Sequence, residues 1–212
     1  MMVRRGDADA MVAGIGQNYP ETIRPALQII GMRDGVSRVY GMFVMILKGR
    51  IFILADTTVN IEPTAEQLAE AAILGAEAAR RFDLDPRVAL LSFSNFGSVK
   101  HPLADRVRRA VEIVRERKPD LAVDGEMQAD TAVCPDLAAE SFPFSRVQGD
   151  ANVLIFPELA SANIAYKLLQ KLGGAEAIGP ILTGMRKPVQ VVQVGMTVRD
   201  IVNMAAIAAS GD

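Results

Sequence analysis

Apolar runs alternate along the chain with segments that place an apolar residue at every third or fourth position. Short apolar runs bounded by turn residues predict β-strands, and the three-to-four spacing predicts amphipathic α-helices. The runs predict strands at residues 8–15, 38–47, 51–56, 87–93, 121–126, 152–157 and 177–182. The helical spacing predicts helices at residues 20–30, 64–82, 102–120, near 128–139, 158–172 and 197–210.

Three local patterns refine these elements. Thr64 and Gln67 have the spacing of a capping box, which predicts a helix start behind Pro63. The runs on either side of Lys48–Arg50 predict a hairpin of antiparallel strands. Residues 87–93 are too apolar for a half-exposed strand and indicate a covered parallel sheet. The alternation predicts an α/β protein, a three-layer α/β/α sandwich whose sheet is mainly parallel.

Composition narrows the class of protein. Half of the chain is hydrophobic, aromatic residues make up 5% and tryptophan is absent, so the core should be aliphatic. A net charge of −2 gives no indication of a nucleic-acid or acidic-membrane partner. The single cysteine, Cys134, excludes an internal disulfide and is interpreted as a small buried hydrophobe. No apolar run reaches the about 18 residues of a membrane span, and the first residues lack the apolar stretch of a signal peptide, so we expect a cytoplasmic protein.

Ligands of parallel α/β sheets bind beyond the carboxyl ends of the strands. This rule selects four loops, at residues 17–24, 92–102, 124–130 and 179–202. A Ser-His-Asp triad would need His101, the only histidine, which is expected to be an exposed loop residue. One histidine and one cysteine make a metal site improbable on composition, and neither a dinucleotide glycine fingerprint nor a P-loop is present.

The remaining candidates each have two interpretations. Arg24 could clamp a phosphate or simply be solvated at a helix start. Asp124 and Glu126 could form an acid pair or a tight turn around Gly125, and Asp200 has the spacing of a capping box with Thr197. The residues alone therefore predict an α/β domain with an anion-friendly loop face and leave its chemistry open.

The chain resembles the phosphate acetyl- and butyryltransferase family over essentially its whole length. The resemblance rests on the segments MMVRRGDADAMVAG, ETIRPALQII, LLSFSNFGS, PDLAVDGEMQADTAV, NVLIFPELASANIAYKLLQKLGG, AIGPILTGMRKPV and IVNMAAIA. The opening MMVRRGDADAMV and the ending KPVQVV…TVRDIVNMAAIA are more similar to one branch, the C-terminal phosphotransacetylase-like domain of hybrid bacterial NADP-dependent malic enzymes. This resemblance implies an isocitrate/isopropylmalate dehydrogenase-like two-lobe architecture with one lobe truncated, in which residues 28–178 form one lobe and residues 1–27 and 179–212 belong to the other.

The chain departs from the family in its reactive loop. The family has KPVNDLSRGC where this chain has KPVQVVQVGM, so Gln193 and Val194 replace a Ser-Arg pair to which the family assigns substrate positioning and charge stabilisation. The family's proposed base corresponds to Asp200, and its HSTxDT motif reads QNYPET at residues 17–22. Loss of a preorganised charged donor typically costs about 10²–10³-fold in rate, so the resemblance implies a catalytically inactive domain.

The implied function is an acetyl-CoA-sensing regulatory and oligomerisation domain of an NADP-dependent malic enzyme. The resemblance implies a homodimer with acetyl-CoA as effector and no cofactor of its own, while NADP and a Mg or Mn ion would bind in a malic domain outside this chain. Two alternatives stay open, an active phosphate acetyltransferase and a purely structural oligomerisation domain. The candidates for acyl-CoA or phosphate binding are Arg24, Ser92, Ser94, Ser98, Gln128, Asp130, Gly184, Lys187 and Gly195.

Overall fold

The structure, a computed structural model, describes residues 1–211. Its helices are α1 (Met2–Arg5), α2 (Tyr19–Ile29), α3 (Ala65–Arg81), α4 (Pro102–Arg117), α5 (Ala129–Val133), α6 (Pro135–Ser141), α7 (Leu159–Lys171) and α8 (Val198–Ala209). Its strands are β1 (Met11–Ala13), β2 (Tyr40–Leu47), β3 (Arg50–Ala55), β4 (Arg87–Leu91), β5 (Ala122–Met127), β6 (Val153–Ile155), β7 (Glu176–Thr183) and β8 (Val189–Val191).

The main sheet has six strands in the order β5-β4-β6-β3-β2-β7. Strands β5, β4, β6 and β3 are parallel, whereas β2 runs antiparallel to both β3 and β7. The antiparallel strand arises from the predicted hairpin, in which Leu47 pairs with Arg50 across a two-residue turn. Lys48 and Gly49 both have positive φ, as the tight turn of a hairpin requires. The prediction of an α/β fold with a mainly parallel sheet is confirmed.

Helices cover both faces of this sheet. One core cluster joins β2–β6 to α3 and α4 through residues such as Leu68, Val107 and Ile155. The second cluster joins the opposite face to the α5–α7 segment through residues such as Ala132 and Tyr166. The alternating side chains of each strand therefore enter two separate apolar layers. This arrangement places the loops that follow the parallel strands at one edge of the sandwich.

A smaller sheet pairs β1 with β8 in parallel and packs against α2 in a third core cluster. The predicted loop at residues 179–202 included residues 189–191. In the structure these residues form β8, which pairs with β1 near the other end of the chain. Strand β7 crosses the proposed boundary between residues 178 and 179, so residues 179–183 lie in the main sheet. The division into two lobes stays a prediction, as does the isocitrate dehydrogenase-like architecture.

Two further expectations are corrected by the structure. Cys134 is exposed, because it lies in extended backbone between α5 and α6 and turns away from the core. The helix predicted near residues 128–139 is two short helices, since Pro135 begins a new one. Helix α8 lies against β7, β8 and β1, with Met204 and Ala208 buried and Val198 and Val202 exposed. Among residues 1–211, none of the helices has the length and apolarity that crossing a membrane would need.

Candidate functional site

The loops after β3, β4, β5 and β6 meet at one edge of the main sheet and line a cavity of about 710 Å³ that is partly open to solvent. Its lining residues are Ile61, Glu62, Leu91, Ser92, Phe93, Leu103, Arg106, Ala129, Phe156, Pro157, Glu158 and Ser161. Parallel strands end in the same direction, which is why loops that are distant in sequence meet here. The volume lies within the range of small-molecule sites in proteins.

Glu126 holds the loop that follows β4. Its side chain is fully buried, and its Oε1 accepts hydrogen bonds from Ser94 Oγ at 2.7 Å and from the Gly97 backbone N–H at 2.8 Å. Arg108 adds an ion pair, with its Nε 3.1 Å from Oε2. Burial raises the pKa of Glu126, but the bonds from Arg108, Gly97 and Ser94 outweigh it, so the pKa lies below its usual range. The carboxylate therefore fixes the backbone of residues 94–97 beside the cavity.

Asp124 is also buried, but it serves a different loop. Its Oδ1 lies 2.6 Å from Arg115 Nη2, and its Oδ2 accepts from the Arg146 backbone N–H at 2.8 Å. Asp124 and Glu126 thus each bind their own arginine and do not form an acid pair. Gly125 between them has φ +141, a backbone conformation that favours glycine. The sequence left open whether Asp124 and Glu126 form an acid pair or a tight turn. The structure shows instead that each carboxylate forms a separate ion pair with an arginine of α4.

Asp56 organises the loop after β3, and sequence reasoning did not single it out. Its Oδ1 accepts from the backbone N–H groups of Gly41 and Thr58, both at 3.0 Å, and its Oδ2 from that of Asn60 at 2.8 Å. Burial is the main influence on the pKa of Asp56 and raises it above the usual range despite these bonds. The signal available in the sequence was an acidic residue directly after a buried strand, followed by Asn60 four positions later.

The start of α8 forms a second polar region. Thr197 and Asp200 make the predicted capping box, in which Asp200 Oδ2 accepts from both the backbone N–H and the hydroxyl of Thr197 at 2.8 Å. Asp200 Oδ1 has no hydrogen-bond donor within residues 1–211. Gln193 and Val194, just before the cap, are exposed. The loop therefore presents a helix N-terminus and one free carboxylate oxygen.

The other predicted site residues fall into two groups. Ser92, Ser94, Ser98 and Gln128 come together at the ends of β4 and β5, where Ser92 lines the cavity and Ser94 is buried against Glu126. Asp130 is exposed in α5, and its Oδ1 accepts from the Thr131 backbone N–H. Arg24, Gly184, Lys187 and Gly195 belong to the segments around the small sheet, with Arg24 and Lys187 exposed and both glycines at φ +91.

Neither a triad nor a metal centre is formed by the residues that the structure describes. His101 caps α4, its Nδ1 accepting from the Leu103 backbone N–H at 3.2 Å, and its ring contacts Phe93 rather than a serine. Between residues 1 and 211 no group of three His, Cys, Asp or Glu side chains is placed to bind a metal ion. The features that remain for chemistry are the cavity, the loops around it and the N-terminus of α8.

Comparison with known proteins identifies this architecture. A model of the family described as "Phosphate acetyl/butaryl transferase" matches residues 1–209. The chain belongs to this phosphate acetyl/butaryl transferase family. It is 44% identical over 210 residues to a phosphate acetyltransferase of Bacillus subtilis (strain 168), covering 99% of this chain and 65% of the relative. It is 47% identical to a phosphate acetyltransferase of Corynebacterium glutamicum over 209 residues, covering 99% of this chain and 64% of the relative.

A solved family structure has the same fold. The crystal structure of a phosphotransacetylase from Streptococcus pyogenes superimposes with a TM-score of 0.95 at 47% sequence identity, over 99% of this chain and 64% of that one. The chain thus spans a little less than two thirds of each of these relatives.

These findings overturn part of the sequence interpretation. The family prediction is confirmed, but the assignment to a malic enzyme regulatory domain is wrong, because the relatives that match 99% of this chain are phosphate acetyltransferases. The oxidoreductase and NADP expectations that came with that assignment are wrong for the same reason. The malic enzyme assignment rested only on the segments at the two ends of the chain. The similarity to phosphate acetyltransferases extends over 99% of the chain.

Proposed function

We propose that this chain is the acyl-transfer part of a phosphate acetyltransferase, which moves an acetyl group between acetyl phosphate and CoA. The observation that carries the proposal is the 44–47% identity to phosphate acetyltransferases across 99% of this chain. The N-terminus of α8, with Gln193 and Asp200 beside it, is its candidate substrate-binding surface. Acetyl-CoA is then a substrate, and no further cofactor is needed for the reaction.

The reaction requires a proton acceptor and a site for developing negative charge. The CoA thiol loses its proton, and the thiolate attacks the acetyl carbonyl of acetyl phosphate to form a tetrahedral oxyanion. Collapse of that oxyanion breaks the bond between the acetyl carbon and the phosphate oxygen, forming the thioester and releasing phosphate. We assign the proton to Asp200, whose Oδ1 is free of protein donors within residues 1–211 while Oδ2 caps the helix.

The N-terminus of α8 is the candidate site for the negative charge. The first backbone N–H groups of a helix have no partner within the helix and favour anions there. Gln193 adds an exposed neutral amide donor, whereas Val194 adds neither a donor nor a charge. We therefore expect slow transfer compared with relatives that carry the Ser-Arg pair at these positions.

The test is an assay of thioester formation from acetyl phosphate and CoA. The unmodified protein should produce acetyl-CoA, and Gln193→Ser combined with Val194→Arg should raise the rate by about 10²–10³-fold. Asp200→Asn should lower the rate, because an amide cannot accept the thiol proton, whereas Asp200→Glu, which keeps a carboxylate, should retain part of the activity. Absence of transfer in both the unmodified protein and the double variant would contradict the proposal.

We also propose that the protein forms a homodimer. Ile164 and Leu168 of α7 and Leu172 at its C-terminal cap are exposed at four-residue spacing, which gives this segment an apolar outer stripe. A contiguous exposed apolar surface of this kind commonly marks an association site. The cytoplasmic location inferred from the sequence stays a prediction.

A further inference from the structure

One positively charged side chain faces the cavity without an acidic partner. Arg106 reaches the cavity from α4, and its Nη2 donates to the carbonyl oxygen of Pro157 at 2.9 Å. Its Nε is buried and has no hydrogen-bond acceptor within residues 1–211. No carboxylate of the described residues lies within ion-pair distance of this guanidinium, unlike Arg108 and Arg109 on the same helix. Arg106 therefore brings a positive charge to the cavity that the protein leaves unbalanced.

The two acidic residues of the lining do not neutralise it. Glu158 is engaged at the N-terminus of α7, where its two carboxylate oxygens accept from the backbone N–H groups of Ala160 and Ser161, both at 2.9 Å. Glu62 is exposed and makes no ion pair with the described part of the chain. An arginine with a neutral carbonyl as its partner keeps donors available for an anionic ligand.

The remaining walls are mostly apolar and partly open to solvent. Among the lining residues Leu91 is buried, Phe156 and Pro157 are half-buried, and Ala129 is exposed. Three further apolar lining residues are largely exposed, Ile61 at 70%, Phe93 at 50% and Leu103 at 46%. Apolar side chains around a concave site give binding energy in proportion to the area they remove from water. The cavity thus pairs an apolar surface with a single positive charge.

We propose that this cavity binds an organic carboxylate with an apolar body. A carboxylate matches one guanidinium, and the apolar body matches the walls. A phosphate group fits less well, because its second charge would meet Glu62 and Glu158 with no other cation among the described lining residues to offset them. The nearby helix N-terminus cannot supply the missing donors, since Glu158 occupies the first free N–H groups of α7.

Isothermal titration calorimetry with 4-phenylbutyrate tests this site. Its neutral amide, 4-phenylbutyramide, has the same apolar body and serves as the matched ligand. The acid should bind at least about tenfold more tightly than the amide, because only the acid can form a charge-assisted hydrogen bond with Arg106. The measurement contains neither CoA nor acetyl phosphate, so its outcome is independent of the acetyltransferase proposal.

Three variants locate the effect. Arg106→Met keeps most of the side-chain stem and should abolish the preference for the acid, while Arg106→Lys should retain part of it. Arg109→Met is the control, because Arg109 lies on the same helix but pairs with Glu112 away from the cavity lining. Equal affinity for acid and amide, no binding of either, or an unchanged preference in Arg106→Met would each overturn the proposal.

Discussion

Replacing Glu126 with glutamine tests the role of this residue in holding the loop beside the cavity. The carboxylate accepts from Ser94 and Gly97 through Oε1 and from Arg108 through both oxygens. Glutamine has the same shape but must place an NH₂ group where one oxygen now accepts. In either orientation that NH₂ faces an N–H donor, of Arg108 or of Gly97, so a buried polar group loses its partner.

The expected magnitude follows from the bonds that are lost. Hydrogen bonds to a charged group contribute about 1.5–3 kcal/mol each, and they are not additive. Arg108 is partly exposed, with 39% of its side-chain surface accessible, which weakens its share through solvent screening. We expect Glu126→Gln to lower the free energy of unfolding by about 2–4 kcal/mol.

Asp105→Asn provides the control for this measurement. Asp105 pairs with the same Arg108 at 2.8 Å, but 57% of its side-chain surface is exposed. An exposed ion pair contributes about 0.2–1 kcal/mol, so the control should cost much less than Glu126→Gln. Urea unfolding followed by circular dichroism measures both, since the chain lacks tryptophan. Equal destabilisation by the two substitutions would refute the reasoning.

The same variant predicts a pH dependence. The pKa of Glu126 is lowered in the folded protein, so folding favours the ionised carboxylate. The stability contributed by this ionisation is fully present above the pKa of an unfolded glutamate and is lost as pH falls through the lower folded pKa. The stability difference between the unmodified protein and Glu126→Gln should therefore shrink in acid. A difference that stays constant through the acid range would count against ionisation as its cause.

Three further predictions concern other regions. Gly125→Ala should destabilise the protein by several kcal/mol in urea unfolding, because a Cβ there would lie 2.6 Å from the Leu90 carbonyl oxygen. As a control, Gly35→Ala should cost only about 1 kcal/mol, because Gly35 has a positive φ but a Cβ there would have no atom within 4 Å. Leu168→Glu should shift sedimentation velocity from dimer towards monomer, and a monomeric unmodified protein would reject the dimer. Thr197→Val should cost about 1 kcal/mol through loss of the helix cap, and an unchanged unfolding midpoint would exclude that role.

The sequence by itself determined those features that depend on neighbouring residues. The capping boxes at Thr64 and Thr197 and the hairpin around Lys48 each require only a few consecutive side chains and backbone angles, and the structure contains all three. The alternation of apolar runs with helical spacing was likewise sufficient for the α/β class, because each pattern reports which side of a local element is buried. Resemblance in the motifs was sufficient for the family.

Tertiary structure alone decided which distant residues meet. Strand β8 pairs with β1 across most of the chain length, and no local signal in residues 189–191 could reveal that partner. The buried ion pairs of Asp124 and Glu126 depend on α4 packing against β5, which places Arg115 and Arg108 beside them. The sequence places several arginines on α4, and only the fold shows that Arg108 and Arg109 have acidic partners whereas Arg106 faces a cavity. Periodicity reports whether a side chain points inward, but the identity of its partner depends on how the elements pack.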